Sequence, residues 1–320
     1  MKKQKNCLGC YKKLELNSGS PELDHYHTSC SKKLFGTDAP PIVNFGLEQL
    51  EELAKETLSR HLGITGVQPK VSVDLEKNKN DLKHRLMIVG LWGGFILKPP
   101  SPRFPDIAIV EDATMHMAEA AGIQTAAHGL IRLKSQELAY VTRRFDRGKK
   151  GEKIAVEDFC QLSELLTESK YSTSTEKAGK IILKYSSNSG LDAVTFFDIN
   201  LFSFLTGNAD MHLKNFSLIT KEDGEIVLSP AYDLISTKLM PIKDLEEMAL
   251  TINGKKSKIK RTDFIVMGGK LNIPPKAMEN SFLRLHRAIP SMKEIIDSSF
   301  LSDDLKHRYK ELIDLRSRTL

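Results

Sequence analysis

A chain of 320 residues with 40% hydrophobic content and ordinary glycine and proline levels is long enough to bury a sizeable core in one or two globular domains. Its most apolar window, Leu86 to Leu97, is too short and too glycine-rich to cross a bilayer, so no membrane role is expected. The net charge of +6 admits nucleic acid as a partner but does not require it.

The chain opens on Met1-Lys2-Lys3-Gln4-Lys5-Asn6 with no apolar run behind it, so a cytoplasmic location is expected. Cys7-Leu8-Gly9-Cys10 and then His25-Tyr26-His27-Thr28-Ser29-Cys30 form C-x-x-C followed by H-x-x-C. That spacing suits tetrahedral Zn²⁺ held by Cys7, Cys10, His27 and Cys30, a closed and therefore structural site. His25 is an alternative to His27. A disulfide or free thiols are the competing readings, and a reducing cytosol argues against the first.

Gly63-Ile64-Thr65-Gly66-Val67-Gln68-Pro69-Lys70 leads into the β-branched run Val71-Ser72-Val73. Backbone amides in such a loop can cradle phosphates, although it is not the G-x-G-x-x-G of ordinary protein kinases. Phe95-Ile96-Leu97-Lys98 reads as an apolar strand ending in a lysine, from which a kinase lysine reaches nucleotide phosphates, or as a strand end that is simply solvated. Glu111 opens a segment of helix formers closed by Gly122. It either pairs with Lys98 or stabilises a helix N-terminus through the dipole. Leu138 to Thr142 reads as a strand, Cys160 as a small core residue, and 171–175 and 185–190 as loops. A helix from Leu191 to Leu205 carries Val194, Phe196, Phe197, Ile199, Leu201, Phe202, Phe204 and Leu205 around most of its axis and is expected to be buried.

Asp210 and Asn215 then stand five residues apart in a polar segment, the D-x-x-x-x-N spacing of kinase catalytic loops. The carboxylate can accept the proton of an attacking hydroxyl, and the amide oxygen is a hard ligand for Mg²⁺. A hairpin over Phe216 to Leu228, turning at Lys221-Glu222-Asp223-Gly224, leads to Asp233 as a second metal ligand. Taken singly, Asp210 and Asn215 are also common turn formers, and Asp233 a common helix cap. Lys255-Lys256-Ser257-Lys258-Ile259-Lys260-Arg261 is the strongest basic run, without interleaved aromatics to make it a nucleic-acid surface.

Taken with Arg143-Arg144-Phe145-Asp146-Arg147 and Asp210-Met211-His212-Leu213-Lys214-Asn215-Phe216-Ser217, these segments resemble the HipA family of bacterial serine/threonine kinases, toxins of toxin-antitoxin systems. The resemblance spans about residues 45 to 315. It implies an α+β, two-lobed, protein-kinase-like fold with a β-rich lobe at 45–147 and a helical lobe at 148–320, preceded here by the zinc-knuckle-like module of 1–44. It implies ATP and Mg²⁺ as cofactors, Asp210 as proton acceptor, and Asn215 and Asp233 as metal ligands. Thr65, Gly66, Val67, Gln68, Lys70, Lys98, His212 and Lys214 would contact the nucleotide, and the Arg143 to Phe145 backbone the adenine.

Two departures follow. The position of the family's regulatory loop serine is Gly63, leaving Thr65 as the candidate for autophosphorylation, which would put about two negative charges beside the triphosphate. The stretch ahead of the loop is also shorter than in full-length members, a layout that resembles the HipT-like toxin of split systems. The resemblance further implies a protein substrate such as an aminoacyl-tRNA synthetase. A helix-turn-helix antitoxin and a small protein equivalent to the missing N-terminal domain are the implied partners, with DNA reached only through the antitoxin. A small-molecule or lipid kinase and a non-catalytic part of a repressor complex are the alternatives.

Overall fold

The computed structural model describes residues 6–14, 25–50, 52–53, 70–77, 84–89, 92–101, 103–148, 151–241 and 246–320. The chain divides into two compact units, one built from residues up to 112, 126–151 and 298–301, the other from 113–125, 152–297 and 302–320.

The first unit is a six-stranded sheet in the order β1-β3-β2-β4-β6-β5, formed by β1 (Ile42–Val43), β2 (Val71–Lys77), β3 (His84–Ile88), β4 (Phe95–Lys98), β5 (His128–Arg132) and β6 (Leu138–Arg143). All pairings are antiparallel except β1 with β3. The register sets Lys98 of β4 opposite Tyr140 of β6. Phe95 and Leu97 alternate into the core, as the period of two requires. On the outer edge of β5 lies the N-terminal segment with α1 (Thr28–Phe35). Leu130 donates its N–H to the Leu8 carbonyl at 3.0 Å, and its carbonyl accepts from the Tyr26 hydroxyl at 2.6 Å. Gly129 allows this approach, because a Cβ there would stand 2.7 Å from the Tyr26 hydroxyl.

Helix α2 (Ile107–Ala120) follows β4. It starts four residues before Glu111, so that carboxylate lies beyond the first turn, where dipole stabilisation acts, and the helix-cap reading of Glu111 gives way to pairing with Lys98.

The second unit contains β7 (Val156–Asp158), α3 (Phe159–Leu162), α4 (Thr175–Tyr185), α5 (Ser189–Thr206), β8 (Ser217–Thr220), β9 (Ile226–Leu228), α6 (Arg261–Lys270), α7 (Pro275–Ser298) and α8 (Asp303–Ser317). Strands β7, β8 and β9 form a small antiparallel sheet. Helix α5 is central, packing on α4 and α8, and is buried from Phe196 onward except for Asp198. It begins at Ser189 rather than Leu191, whose side chain is exposed, so residues 189–190 are helical and Tyr185 closes α4. The hairpin appears as read, with Gly224 in the left-handed turn position at φ 86°. Cys160 is buried in the core.

Candidate active site and metal cluster

In the first unit, Lys98 and Glu111 meet at 2.6 Å, with side chains 9% and 1% exposed. The Lys98 ammonium also stands 5.5 Å from the Tyr140 ring centroid. A charge pair so deeply buried holds only with good geometry on both sides. Lys70, at the foot of β2, is exposed; Gly63, Thr65, Gly66, Val67 and Gln68 lie outside the described residues.

The segment after β6 is organised by Asp146. Its two oxygens accept from Arg144 Nε at 2.8 Å and Nη2 at 2.7 Å, and from Arg147 Nη1 at 2.7 Å. Burial opposes the charge of Asp146, but the Arg144 hydrogen bonds and the two guanidinium charges outweigh it and hold the carboxyl below its ordinary range. Arg143 donates its N–H to Ala127 and Arg144 donates its own to Gly94. The backbone at Arg143 and Arg144 is thereby tied to both neighbouring segments.

In the second unit the acid–amide loop leaves α5 through Gly207, left-handed at φ 72°, where an added Cβ would stand 2.8 Å from Leu312. Asn208 accepts from the Asp210 N–H at 3.1 Å, and His212 donates its N–H to the Asp210 carbonyl at 2.8 Å. Leu213–Asn215 form a single 3-10 turn. Asn215 donates its side-chain N–H to the same Asp210 carbonyl at 3.0 Å. That bond commits the amide nitrogen and so fixes the orientation of the side chain. Phe216 anchors the far end of the loop, its ring 4.7 Å from Phe196 and 5.5 Å from Phe159; each such pair contributes about 1 kcal/mol beyond area burial.

The Asp210 carboxylate is half exposed and accepts a hydrogen bond from the Tyr171 hydroxyl. His212 is buried, edge-on to the Tyr171 ring at 5.0 Å. Burial pulls its imidazole below the usual pKa, against the pull of Asp210. The Lys214 ammonium is engaged by Asp158 at 2.7 Å, and Asp158 also caps α3.

Asp233 is joined to this loop through its neighbour. The Tyr232 hydroxyl donates to the Lys214 carbonyl at 2.9 Å and meets the Ser217 hydroxyl at 2.6 Å. Asp233 itself is left-handed at φ 54°, a conformation disfavoured for a non-glycine residue and held only where the surroundings over-determine it. Tyr232 thus ties the segment that carries Asp233 to the Asp210–Asn215 loop, and the charge of Asp233 acts on His212 of that loop. Tyr171, Asp158 and the Tyr232 hydroxyl support this loop without being marked as supports in the sequence. Tyr232 stood inside the Tyr-Asp-Leu segment, whereas nothing in the spacing linked Tyr171 to Asp210 across 39 residues.

The N-terminal cluster brings together Cys7, Cys10, His27 and Cys30, whose ligand atoms all lie within 4.8 Å of one another. All three of its cysteines are free thiols. His27, not His25, joins the sulphurs: its Nδ1 is 3.3 Å from Cys10 Sγ and its Nε2 3.1 Å from the Lys13 carbonyl. Donation from Nε2 to that carbonyl leaves the Nδ1 lone pair facing the thiols, the arrangement that orients a metal-ligating histidine. The hydrogen bond between Cys7 and Cys10 draws the Cys10 thiol down against burial and, together with burial, pushes the Cys7 thiol up. Three sulphurs and one imidazole nitrogen are the donor set of a closed Zn²⁺ site.

Three basic side chains of the run from 255 to 261 are engaged in ion pairs. Lys255 pairs with Asp263 at 2.8 Å, Lys256 with Glu246 at 3.0 Å and Arg261 with Glu279 at 2.5 Å. Among the described residues no helix is long and apolar enough to cross a membrane.

A sheet carrying a buried lysine–glutamate pair, and a helical unit whose acid–amide loop precedes a hairpin and a second acid, make up a kinase-like fold. The family model of the HipA-like C-terminal domain matches residues 62–292, and the chain belongs to that family. Curated relatives include "Putative kinase" of Haemophilus influenzae, 28% identical over 72% of this chain and 67% of that protein. "Putative kinase Y4mE" and "Putative kinase Y4dM" of Sinorhizobium fredii are 32% and 33% identical, each over 63% of this chain. The chain spans about half the length of these two, 48% and 50%. Among solved structures, HipA from the Shewanella oneidensis HipA, HipB and operator DNA complex superimposes with a TM-score of 0.68 at 19% identity, over 95% of this chain and 80% of that one. The Helicobacter pylori proinflammatory kinase CtkA does so at 0.55 and 16%, over 78% and 95%. At these identities the likeness is one of fold.

Proposed function

We propose that the protein is an ATP- and Mg²⁺-dependent serine/threonine protein kinase acting as the toxin of a toxin-antitoxin system. The observation that carries this reading is Tyr232, whose hydroxyl bonds to the Lys214 carbonyl and so ties the segment of Asp233 to the loop of Asp210 and Asn215. In this reading Asn215 and Asp233 hold Mg²⁺, which neutralises charge on the phosphates. Asp210 takes the proton of the attacking hydroxyl, and His212, whose imidazole burial draws below its usual pKa, stands 4.0 Å from it. Lys98, held by Glu111, contacts the phosphates, with the loop Thr65, Gly66, Val67, Gln68 and Lys70 over them, and the Arg143 to Phe145 backbone reads the adenine. Lys214 acts through its ion pair with Asp158, as a brace of the loop.

Cys7, Cys10, His27 and Cys30 bind a structural Zn²⁺. The substrate is a protein, an aminoacyl-tRNA synthetase in this reading, met in the cytoplasm. A helix-turn-helix antitoxin and a small protein in place of a longer N-terminal domain are the partners, as in split systems. The ion pairs of Lys255, Lys256 and Arg261 support contact with DNA through the antitoxin rather than directly. The same residues divide by role into 1–44, 45–147 and 148–320.

The test is γ-phosphate transfer from Mg-ATP by the purified chain with a host lysate, read by peptide mass spectrometry. Phosphate on Thr65 and on one lysate protein is expected. Asp210→Gln should reduce transfer at least about a hundredfold. Transfer surviving in Asp210→Gln would refute the assignment of the base.

A further inference from the structure

The N-terminal metal cluster is covalently next to a residue that reaches the nucleotide-lysine apparatus of the same unit. Tyr11 follows Cys10 directly, and its hydroxyl donates to Asp112 Oδ2 at 2.5 Å, while His128 Nδ1 meets Asp112 Oδ1 at 2.7 Å. Tyr11 and Asp112 are both buried, at 2% and 0% exposure. Asp112 is the neighbour of Glu111 on α2. Successive helical side chains diverge by about 100°, so Glu111 turns to Lys98 on β4 while Asp112 turns to β5 and the N-terminal segment. Anchoring Asp112 therefore fixes the rotation and axial position of the turn that presents Glu111.

The backbone of Tyr11 points the same way. It is left-handed at φ 62°, a state that a tyrosine adopts only when its surroundings enforce it. The enforcing element is the knuckle: Tyr11 donates its N–H to the Cys7 carbonyl at 2.9 Å, Cys7 donates its own to Lys12 at 2.8 Å, and the Cys7 thiol accepts from Gly9 and His27. An ion bound by Cys7 and Cys10 closes this turn, whereas an empty turn is free to relax to an ordinary φ and withdraw the hydroxyl from Asp112.

We propose that Tyr11 and Asp112 are positioning residues for the Lys98–Glu111 pair, and that metal occupancy of the Cys7, Cys10, His27, Cys30 cluster sets nucleotide affinity through them. This rests on the assignments of Zn²⁺ and of Lys98 made above.

The experiment uses the full chain, with zinc content measured by elemental mass spectrometry and Mg-ATP affinity by calorimetry. Untreated protein should carry one zinc per chain and bind Mg-ATP. Tyr11→Phe keeps the ring on Phe300, 5.5 Å away, and should keep its zinc while binding Mg-ATP about three- to tenfold more weakly, the loss of one hydrogen bond to a charged group transmitted in part. Cys10→Ser should lose zinc and weaken binding at least as much. Wild type stripped of zinc by a mercurial and returned to free thiols should regain affinity when Zn²⁺ is added. A Tyr11→Phe protein with full zinc and unchanged affinity overturns the coupling alone. Absence of zinc overturns the metal assignment, and absence of Mg-ATP binding by wild type overturns the kinase reading; either removes the proposal. A loss of thermal stability without change in affinity also overturns it, since that is what a purely structural knuckle would show.

Discussion

The Lys98–Glu111 pair permits a test independent of catalysis. At 2.6 Å and an effective dielectric constant near 20, the attraction is about 6 kcal/mol, but removing both charges from water costs several kcal/mol each. The net contribution of the intact pair is therefore small, whereas removing one partner strands a buried charge at a cost of about 3–5 kcal/mol. Lys98→Met and Glu111→Leu should each lower the urea midpoint by the equivalent of about 3 kcal/mol, with little change in slope. The double variant should be destabilised by less than the sum, by about 2–3 kcal/mol. Far-UV circular dichroism at pH 7 without nucleotide is the assay. Single losses below about 1 kcal/mol that add within about 0.5 kcal/mol would show the two charges to be effectively solvated and would refute the argument.

Further expectations concern other sites. Asp263, 1% exposed, accepts from Asn253, Lys255 and the Lys260 amide; burial opposes its charge, but these bonds prevail and its pKa is lowered below 3.8. Its folded pKa lying below the unfolded one, its contribution is fully present above about pH 4 and lost as pH falls through the folded value. Asp263→Ala should flatten that acid limb in a thermal melt series and cost about 2–4 kcal/mol at pH 7. Tyr171→Phe should lower kcat for phosphate transfer about three- to tenfold with KM for ATP nearly unchanged, since the hydroxyl orients Asp210; an equal rise in KM would contradict that role. Asp146→Asn, which frees Arg144 and Arg147 of a shared carboxylate, should cost about 1–3 kcal/mol in urea denaturation.

Local chemistry was legible where it repeats with a period or sits within one segment. Phe95 to Lys98, the hairpin around Gly224 and the Asp210–Asn215 turn appear where alternation, turn residues and five-residue spacing put them. Helix boundaries were less legible, because Ile107 to Val110 and Ser189-Gly190 carry weak start signals: α2 and α5 begin before the residues that stood out. β7 was missed since three residues of Val-Glu-Asp have no pattern of their own and become a strand only against β8. The supports of the site were illegible for the same reason. Tyr171 to Asp210 and Tyr11 to Asp112 are contacts across 39 and 101 positions, and no spacing rule reaches that far. The ion pairs of Lys255, Lys256 and Arg261 with Asp263, Glu246 and Glu279 were likewise not legible in the basic run itself.

Strand β5 ends the six-stranded order, and an edge of this kind offers bare N–H and C=O groups to any other extended chain. Here Leu8 and Tyr26 take both outward-facing groups of Leu130. The cysteine-bearing segment is thus also a seal against intermolecular strand addition, so a protein expressed without it would be prone to self-association through β5 before any loss of chemistry became measurable.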